Sequence, residues 1–137
     1  NFLVTGGIDD LWVNPARELH VVDYKATAKA SAVSITEDWQ AGYRRQVEVY
    51  QWLFRRNGFP VSDTAYFVYC NGKLDREAFD GKLDFAITIF PYEGSDRWVE
   101  PALAAARACL QREQLPPPGE FCEFCRYRRT AQAVEAA

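Results

Sequence analysis

Residues 21–25 carry a carboxylate and an amine two positions apart, at Asp23 and Lys25. Side chains alternate between the two faces of a β-strand, so Asp23 and Lys25 would point to one face while Val22 and Tyr24 point to the other. The spacing therefore predicts an acid and an amine held side by side on one strand.

A second carboxylate, Asp9, precedes the turn-forming residues 14–17 (Asn-Pro-Ala-Arg). Residues 3–13 and 19–27 flank this turn and are rich in β-branched and aromatic side chains, which predicts an antiparallel hairpin. Asp9 would lie on the first strand of the hairpin, within reach of Asp23. The two carboxylates would then share one cation.

This group of side chains suits the hydrolysis of a phosphodiester. Mg²⁺ prefers oxygen ligands, often takes only one or two carboxylates, and fills its other positions with water and phosphate oxygens. Asp9, Asp23 and the main-chain carbonyl of Tyr24 would supply such a partial shell. Lys25 would position the attacking water or stabilise charge in the transition state. We therefore expect Asp9, Asp23 and Lys25 to be catalytic, with Mg²⁺ or Mn²⁺ as the cofactor.

A helix should follow the hairpin. Ser34 and Glu37 have the spacing of a capping box, and Gly58 can end the helix after about Asn57. Between these ends, apolar side chains recur at steps of three and four residues, which predicts one buried face. They are Trp39, Tyr43, Val47, Tyr50 and Phe54.

The remaining segments predict two more strands, at 64–70 and 83–90, and a second helix at about 96–114. The C-terminal tail, 119–137, would be a short helix or frayed. The order β-β-α-β-β-α predicts a single α/β domain over residues 1–137, with a central mixed sheet of about four strands flanked by helices. The tail would be its Cys-containing end.

Three short motifs in this order resemble those of a known family. Gly7-Ile8-Asp9, Asp23-Tyr24-Lys25, and Gln46 with Tyr50 resemble the G-x-D, D-Y-K and Q-x-x-x-Y motifs of PD-(D/E)XK nucleases. The resemblance is to the RecB-like branch, which includes AddB and the CRISPR-associated exonucleases, and it covers most of the chain. It implies a restriction-endonuclease-like fold, metal binding by Asp9 and Asp23, catalysis by Lys25, and a site or DNA contact for Gln46 and Tyr50.

The resemblance also implies a function. We expect a divalent-metal-dependent nuclease that hydrolyses DNA phosphodiester bonds in recombination, DNA repair or defence against foreign DNA. Endonuclease and exonuclease action both stay open, as do an oligomer and a larger nuclease/helicase assembly.

Two alternatives stay open. Many relatives carry a Glu or His metal ligand on a helix before the first motif strand, and this chain has no room for that helix. The missing methionine at position 1 favours a fragment, and the fragment would be a catalytically incomplete module that binds DNA or assembles with partners. The second alternative is a small redox or metal-storage protein built on Cys122 and Cys125.

Basic residues offer phosphate contacts in spite of a net charge of −3. Arg44 and Arg45 begin the helical turn that carries Gln46, so we expect them to bind DNA phosphates without sequence preference. Arg55 and Arg56 are better explained as a solvated helix face.

Cys122 and Cys125 match the C-x-x-C pair of an iron–sulfur motif in some relatives, yet no Cys follows them or precedes the core. We expect a remnant of a metal or cluster site rather than an iron–sulfur cluster. Cys70 and Cys109 would be buried small hydrophobes, and His20 would lie exposed or in the turn.

The chain lacks an apolar run long enough to span a bilayer and a secretory signal at its start. With 48% hydrophobic and 26% charged residues it has the composition of a globular protein. We expect a cytoplasmic protein without a membrane contact.

Overall fold

The computed structural model describes residues 2–75, 77, 80–114 and 116–136. The chain forms two compact units, Asn1–Pro101 and Ala102–Ala137. The first unit contains the whole sheet, and the second contains the C-terminal helix. The single domain expected from the sequence stays a prediction.

The elements follow one another as expected up to the tail. They are β1 (Asp10–Val13), β2 (Leu19–Thr27), a 3₁₀ turn (Asp38–Gln40), α1 (Ala41–Arg56), β3 (Thr64–Gly72), β4 (Phe85–Glu93), α2 (Val99–Leu110) and α3 (Glu123–Glu135). The sheet has the order β1-β2-β3-β4. Pairs β1–β2 and β3–β4 are antiparallel, whereas β2 and β3 are parallel and joined through α1. The expected mixed four-stranded sheet of an α/β fold is confirmed.

The first strand is shorter than predicted. β1 begins at Asp10, so the expected strand over 3–13 was wrong for its N-terminal part. Glycine is disfavoured in strands, and Gly6 lies so close to the ring of Tyr50 that a Cβ there would overlap it. The strand expected at 19–27 is confirmed as β2.

The start of α1 was also misplaced. The capping box joins Glu37 and Gln40, not Ser34 and Glu37, and a 3₁₀ turn precedes the α-helix. The amide of Gln40 is buried and donates to the carbonyl of Ser34 at 2.6 Å, which holds the preceding loop against the helix. The expected end is confirmed, since Asn57 caps the helix and Gly58 has a φ of 85°.

The later boundaries shift by a few residues. β3 runs on to Gly72, and β4 covers Phe85–Glu93 with Pro91 inside it. β4 is an edge strand, where a proline removes no essential ladder bond. α2 spans only Val99–Leu110, and the tail forms a 13-residue helix, α3.

The core of the first unit lies between one face of the sheet and α1. Asp23 of β2 pairs with Phe67 of β3, and Phe67 pairs with Phe90 of β4, so side chains at these positions share the face that α1 covers. The buried members of the core are Val21, Ile35, Val47, Ala65, Phe67 and Tyr69. Asp23 is therefore an acid on the buried face of the sheet.

Polar residues of α1, whose role no sequence pattern predicted, tie the helix to the end of β4. The buried carboxylate of Glu48 accepts hydrogen bonds from the Tyr92 hydroxyl at 2.8 Å, from Ser95 N at 3.2 Å and from Trp98 Nε1 at 2.6 Å. Burial and the contact with Glu48 raise the pKa of Tyr92 to about 12. Gln51 donates to the carbonyl of Asp63 at 2.8 Å.

Arg55 belongs to the same structural network. Its guanidinium forms ion pairs with Asp63 at 2.6 Å and with Asp96 at 2.8 Å. The prediction of a solvated face was therefore wrong for Arg55 and right for Arg56, whose side chain is 66% exposed.

Gly94 and Gly42 test this packing as a matched pair. A Cβ at Gly94 would overlap the Gln51 amide, whereas one at Gly42 in α1 would meet nothing within 4 Å. Gly94→Ala should lower the free energy of unfolding by about 1–3 kcal/mol, and Gly42→Ala should raise it by up to about 1 kcal/mol. Urea denaturation measures both; a Gly94→Ala variant as stable as the wild type would contradict the packing described.

Candidate active site

Asp23 and Lys25 form a close pair on the face of β2 that α1 covers. Asp23 is 3% exposed, and its Oδ2 atom lies 2.6 Å from Lys25 Nζ. The Lys25 amine also lies 4.2 Å from the centre of the Tyr43 ring on α1. A cation over an aromatic face is attracted to it, so the ring and the carboxylate together fix where the amine sits.

Asp9 approaches the same strand from its β1 side. Its Oδ2 atom accepts a hydrogen bond from the main-chain N–H of Tyr24 at 2.8 Å. Asp9 lies in a bend one residue before β1, not on the strand as expected, but the pairing of Asp10 with Val22 places Asp9 opposite Asp23. The Asp9 carboxylate therefore lies beside the stretch of β2 that carries Asp23.

Asp10 has a different environment, although it is the next residue. Its carboxylate accepts hydrogen bonds from the Tyr24 hydroxyl at 2.9 Å and from Trp12 Nε1 at 3.2 Å. Tyr24 points to the opposite face of β2 from Asp23. Asp10 thus binds a side chain on the face of β2 opposite to Asp23, whereas Asp9 binds the main chain of β2.

Asp23 is an acid buried in the core face of the sheet, and this burial affects its pKa. Burial raises the pKa of the Asp23 carboxyl above its ordinary value. The contact with Lys25 opposes this rise, and the negative charge of Asp9 adds to it.

The residues present fit a divalent cation in part. Apart from its ion pair with Lys25, the buried Oδ2 atom of Asp23 has no hydrogen-bond partner in the described part of the chain, so it can act as a ligand. Two carboxylates suffice for Mg²⁺ when water and phosphate complete its shell. Among the described residues, however, no group of three or more Asp, Glu, His or Cys side chains could hold a metal ion.

In an extended strand the N–H and C=O of one residue point to the same side. Because the N–H of Tyr24 points to Asp9, its carbonyl is directed to that side too. This geometry is compatible with the expected ligand role of the Tyr24 carbonyl.

Gln46 and Tyr50 contact each other on α1. The Gln46 amide donates to the Tyr50 hydroxyl at 3.0 Å, and both side chains are partly buried. Tyr50 also packs against the hydrophobic core and against Gly6. The expected pair is thus brought beside the segment that leads to Asp9, and its contact with substrate stays a prediction.

Arg44 and Arg45 differ in their surroundings. Arg44 donates to the carbonyls of Ile35 and Glu37, so it holds the loop before α1. Arg45 is exposed, and its described hydrogen bond is to the carbonyl of Ala41 within its own helix. Of the two, Arg45 is the one free to reach a phosphate.

Two aromatic residues near the pair were not assigned to the site from the sequence. Tyr43 was expected only as part of the apolar helix face, yet its ring contacts Lys25. The Tyr69 hydroxyl accepts from Gln40 at 3.0 Å, and burial raises its pKa. The charges of Lys25 and Asp23 also act on Tyr69. Contacts between strand and helix create these neighbours, and no motif marks them.

His20 and the four cysteines lie outside this group. His20 Nδ1 is 2.7 Å from the carbonyl of Thr64. Cys70 and Cys109 are only partly buried, where full burial was expected. Cys122 caps α3 and accepts the N–H of Cys125 at 3.3 Å. A hydrogen bond from the Cys125 thiol lowers the pKa of the Cys122 thiol.

Comparison with known proteins identifies a family. A family model of the PD-(D/E)XK nuclease superfamily matches residues 1–130. The chain belongs to this superfamily. PD-(D/E)XK nucleases generally use divalent metals such as Mg²⁺. No curated protein and no solved structure matches the chain, and no helix among the described residues is long and apolar enough to cross a membrane.

Replacing Asp23 by asparagine should change how the stability of the metal-free protein depends on pH. Because the folded state raises the pKa of Asp23, the wild type loses stability as this carboxyl ionises, whereas the neutral amide has no such dependence. The substitution also leaves the Lys25 amine without its carboxylate partner, so the quantity to follow is the change of the stability difference with pH.

The direction of this change is defined. As pH rises from the ordinary aspartate pKa of 3.8 through the raised pKa of Asp23, the wild type should lose stability relative to Asp23→Asn. Chemical denaturation between acid and neutral pH, with EDTA present, measures this difference. A wild type that gains stability relative to Asp23→Asn over this range would contradict the electrostatics described.

Proposed function

We propose that this PD-(D/E)XK protein hydrolyses DNA phosphodiester bonds with Mg²⁺ or Mn²⁺ bound between Asp9 and Asp23. The observation that carries the proposal is the buried Asp23 carboxylate, 2.6 Å from Lys25, with Asp9 held on the next main-chain N–H of the same strand. Two acids and an amine are the groups that this reaction needs.

Each residue has a separate task in the proposed reaction. Asp9 and Asp23 hold the cation, which when bound acidifies water and offsets charge on the phosphate. Lys25 places a positive charge beside the reacting phosphate, where it stabilises the transition state. The ion pair with Asp23 and the ring of Tyr43 keep the Lys25 amine in place before substrate arrives.

The finer assignment is to the RecB-like branch, with a role in recombination, DNA repair or defence. The order and spacing of the three motifs support it, because Gln46 and Tyr50 follow the two acidic motifs and contact each other on α1. Arg45, exposed on the same helix, would bind phosphates without sequence preference.

Asp9, Asp10 and Lys25 provide a matched test. Asp9→Asn and Lys25→Ala should each lower the rate of DNA cleavage at least about a hundredfold, because each removes a charge from the reacting centre. Asp10→Asn removes a neighbouring charge on the other face of β2 and should cut like the wild type. Cleavage of labelled oligonucleotides with Mn²⁺, on proteins checked for folding by circular dichroism, measures the three rates.

Two outcomes would contradict the mechanism. One is a Lys25→Ala variant that cuts at the wild-type rate, since the amine would then have no part in the reaction. The other is an Asp10→Asn variant as inactive as Asp9→Asn, since the acid on the wrong face would then matter equally.

The presence of only two described carboxylates at the site favours a second candidate, a catalytically incomplete module that binds DNA or assembles with partners. This candidate predicts salt-sensitive binding of DNA without cleavage at any Mn²⁺ concentration. Binding by fluorescence anisotropy, run beside the cleavage assay, separates the two candidates.

A further inference from the structure

A concave surface lies between the segment that leads into Asp9 and the C-terminal half of α1. Its volume is about 290 Å³. The residues that line it and carry the argument are Gly6, Ile8, Tyr50, Leu53, Phe54 and Phe59. We call this surface the aromatic pocket.

The pocket wall is aromatic and uncharged. The rings of Phe54 and Phe59 meet edge to face with centroids 5.6 Å apart, and Tyr50 supplies a third ring. Phe59 is 50% exposed, so part of its ring is available to a ligand. No charged side chain lines the pocket among the described residues. Thr5 and Asn57 complete the lining with polar but uncharged groups. Such a wall suits a flat, uncharged group that carries hydrogen-bonding atoms at its edge.

The pocket adjoins the segment that carries Asp9. Ile8 lines it, and the next residue, Asp9, binds the main-chain N–H of Tyr24. Tyr50 lines it too, and its hydroxyl accepts a hydrogen bond from Gln46. A strand of nucleic acid with a phosphate at Asp9 would therefore bring a neighbouring base to the pocket.

We propose that the aromatic pocket binds one unpaired nucleobase of the strand being cut. The inference rests on the proposed function and narrows its substrate to single-stranded or frayed DNA. A base inside a duplex is stacked on both faces and paired along one edge, so it cannot enter the pocket. Aromatic side chains stack on the faces of all four bases, so the pocket tolerates any sequence. Its volume, near the lower limit for pockets that bind small molecules, suits a single base.

The test compares two single strands with the same phosphates, oligothymidine and an abasic oligomer of equal length. Binding is measured by fluorescence anisotropy with Ca²⁺, a cation that takes the same oxygen ligands, on oligomers checked afterwards to be intact. Phe59→Ala should weaken binding of oligothymidine about tenfold, which is about 1.4 kcal/mol and within the range for loss of one stacked base. It should leave binding of the abasic oligomer unchanged.

Two further variants keep the test decisive. Phe59→Leu preserves apolar packing but lacks a ring face, so it should show the same loss as Phe59→Ala even if the latter folds poorly. Phe85 is the matched control, since it is 46% exposed on β4 and lies outside the pocket. Phe85→Ala should bind both oligomers like the wild type.

Three results would overturn the pocket. They are undiminished binding of oligothymidine by Phe59→Leu, an equal loss for the abasic oligomer, and no binding of oligothymidine by the wild type. If the wild type cleaves DNA and Phe59→Leu binds oligothymidine normally, the base-binding role of the pocket is wrong and the nuclease function stands. If Phe59→Leu weakens binding of oligothymidine but the wild type never cleaves DNA, the base-binding role is supported and the hydrolytic function is wrong.

Discussion

The ion pair between Lys25 and the buried Asp23 is the interaction on which the site depends. A carboxylate that is 3% exposed on the core face of a sheet is costly unless something compensates its charge. Lys25 compensates it only in part, because the pKa of Asp23 is still raised. The remaining negative potential, strengthened by Asp9, is what a divalent cation would neutralise. The buried carboxylate thus lowers the stability of the fold at the place where the metal would bind.

The rest of the first unit holds this arrangement in place. β2 pairs with β3 through Asp23 and Lys25, which share one face of the strand, whereas its pairing with β1 ends at Val22. α1 covers that face and adds the ring of Tyr43 above the Lys25 amine. Glu48 and Arg55 fasten the helix to the end of β4 and to the loop before β3. These buried polar contacts fix how closely α1 approaches the site.

The alternation of side chains along residues 19–27 was enough to predict that Asp23 and Lys25 share a face, because that consequence of a strand needs no tertiary information. The parallel pairing of β2 with β3, the capping box at Glu37 and the structural role of Arg55 were not predictable in the same way. The strand pairing and the Arg55–Asp96 ion pair join residues far apart in the chain. The capping box is local, and the spacing of Ser34 and Glu37 offered a competing one. Asp9 shows the limit most clearly: its approach to β2 was expected from a long hairpin, yet it comes from a bend whose partner is a main-chain N–H.

The central claim is that Asp9 and Asp23 act together on one ion, and calorimetric titration with Mn²⁺ tests it most directly. The wild type should bind one equivalent of Mn²⁺, Asp9→Asn and Asp23→Asn should each abolish that binding, and Asp10→Asn should retain it. Equal Mn²⁺ affinity in the wild type and in Asp9→Asn would show that the two carboxylates do not form one site, and would contradict the account.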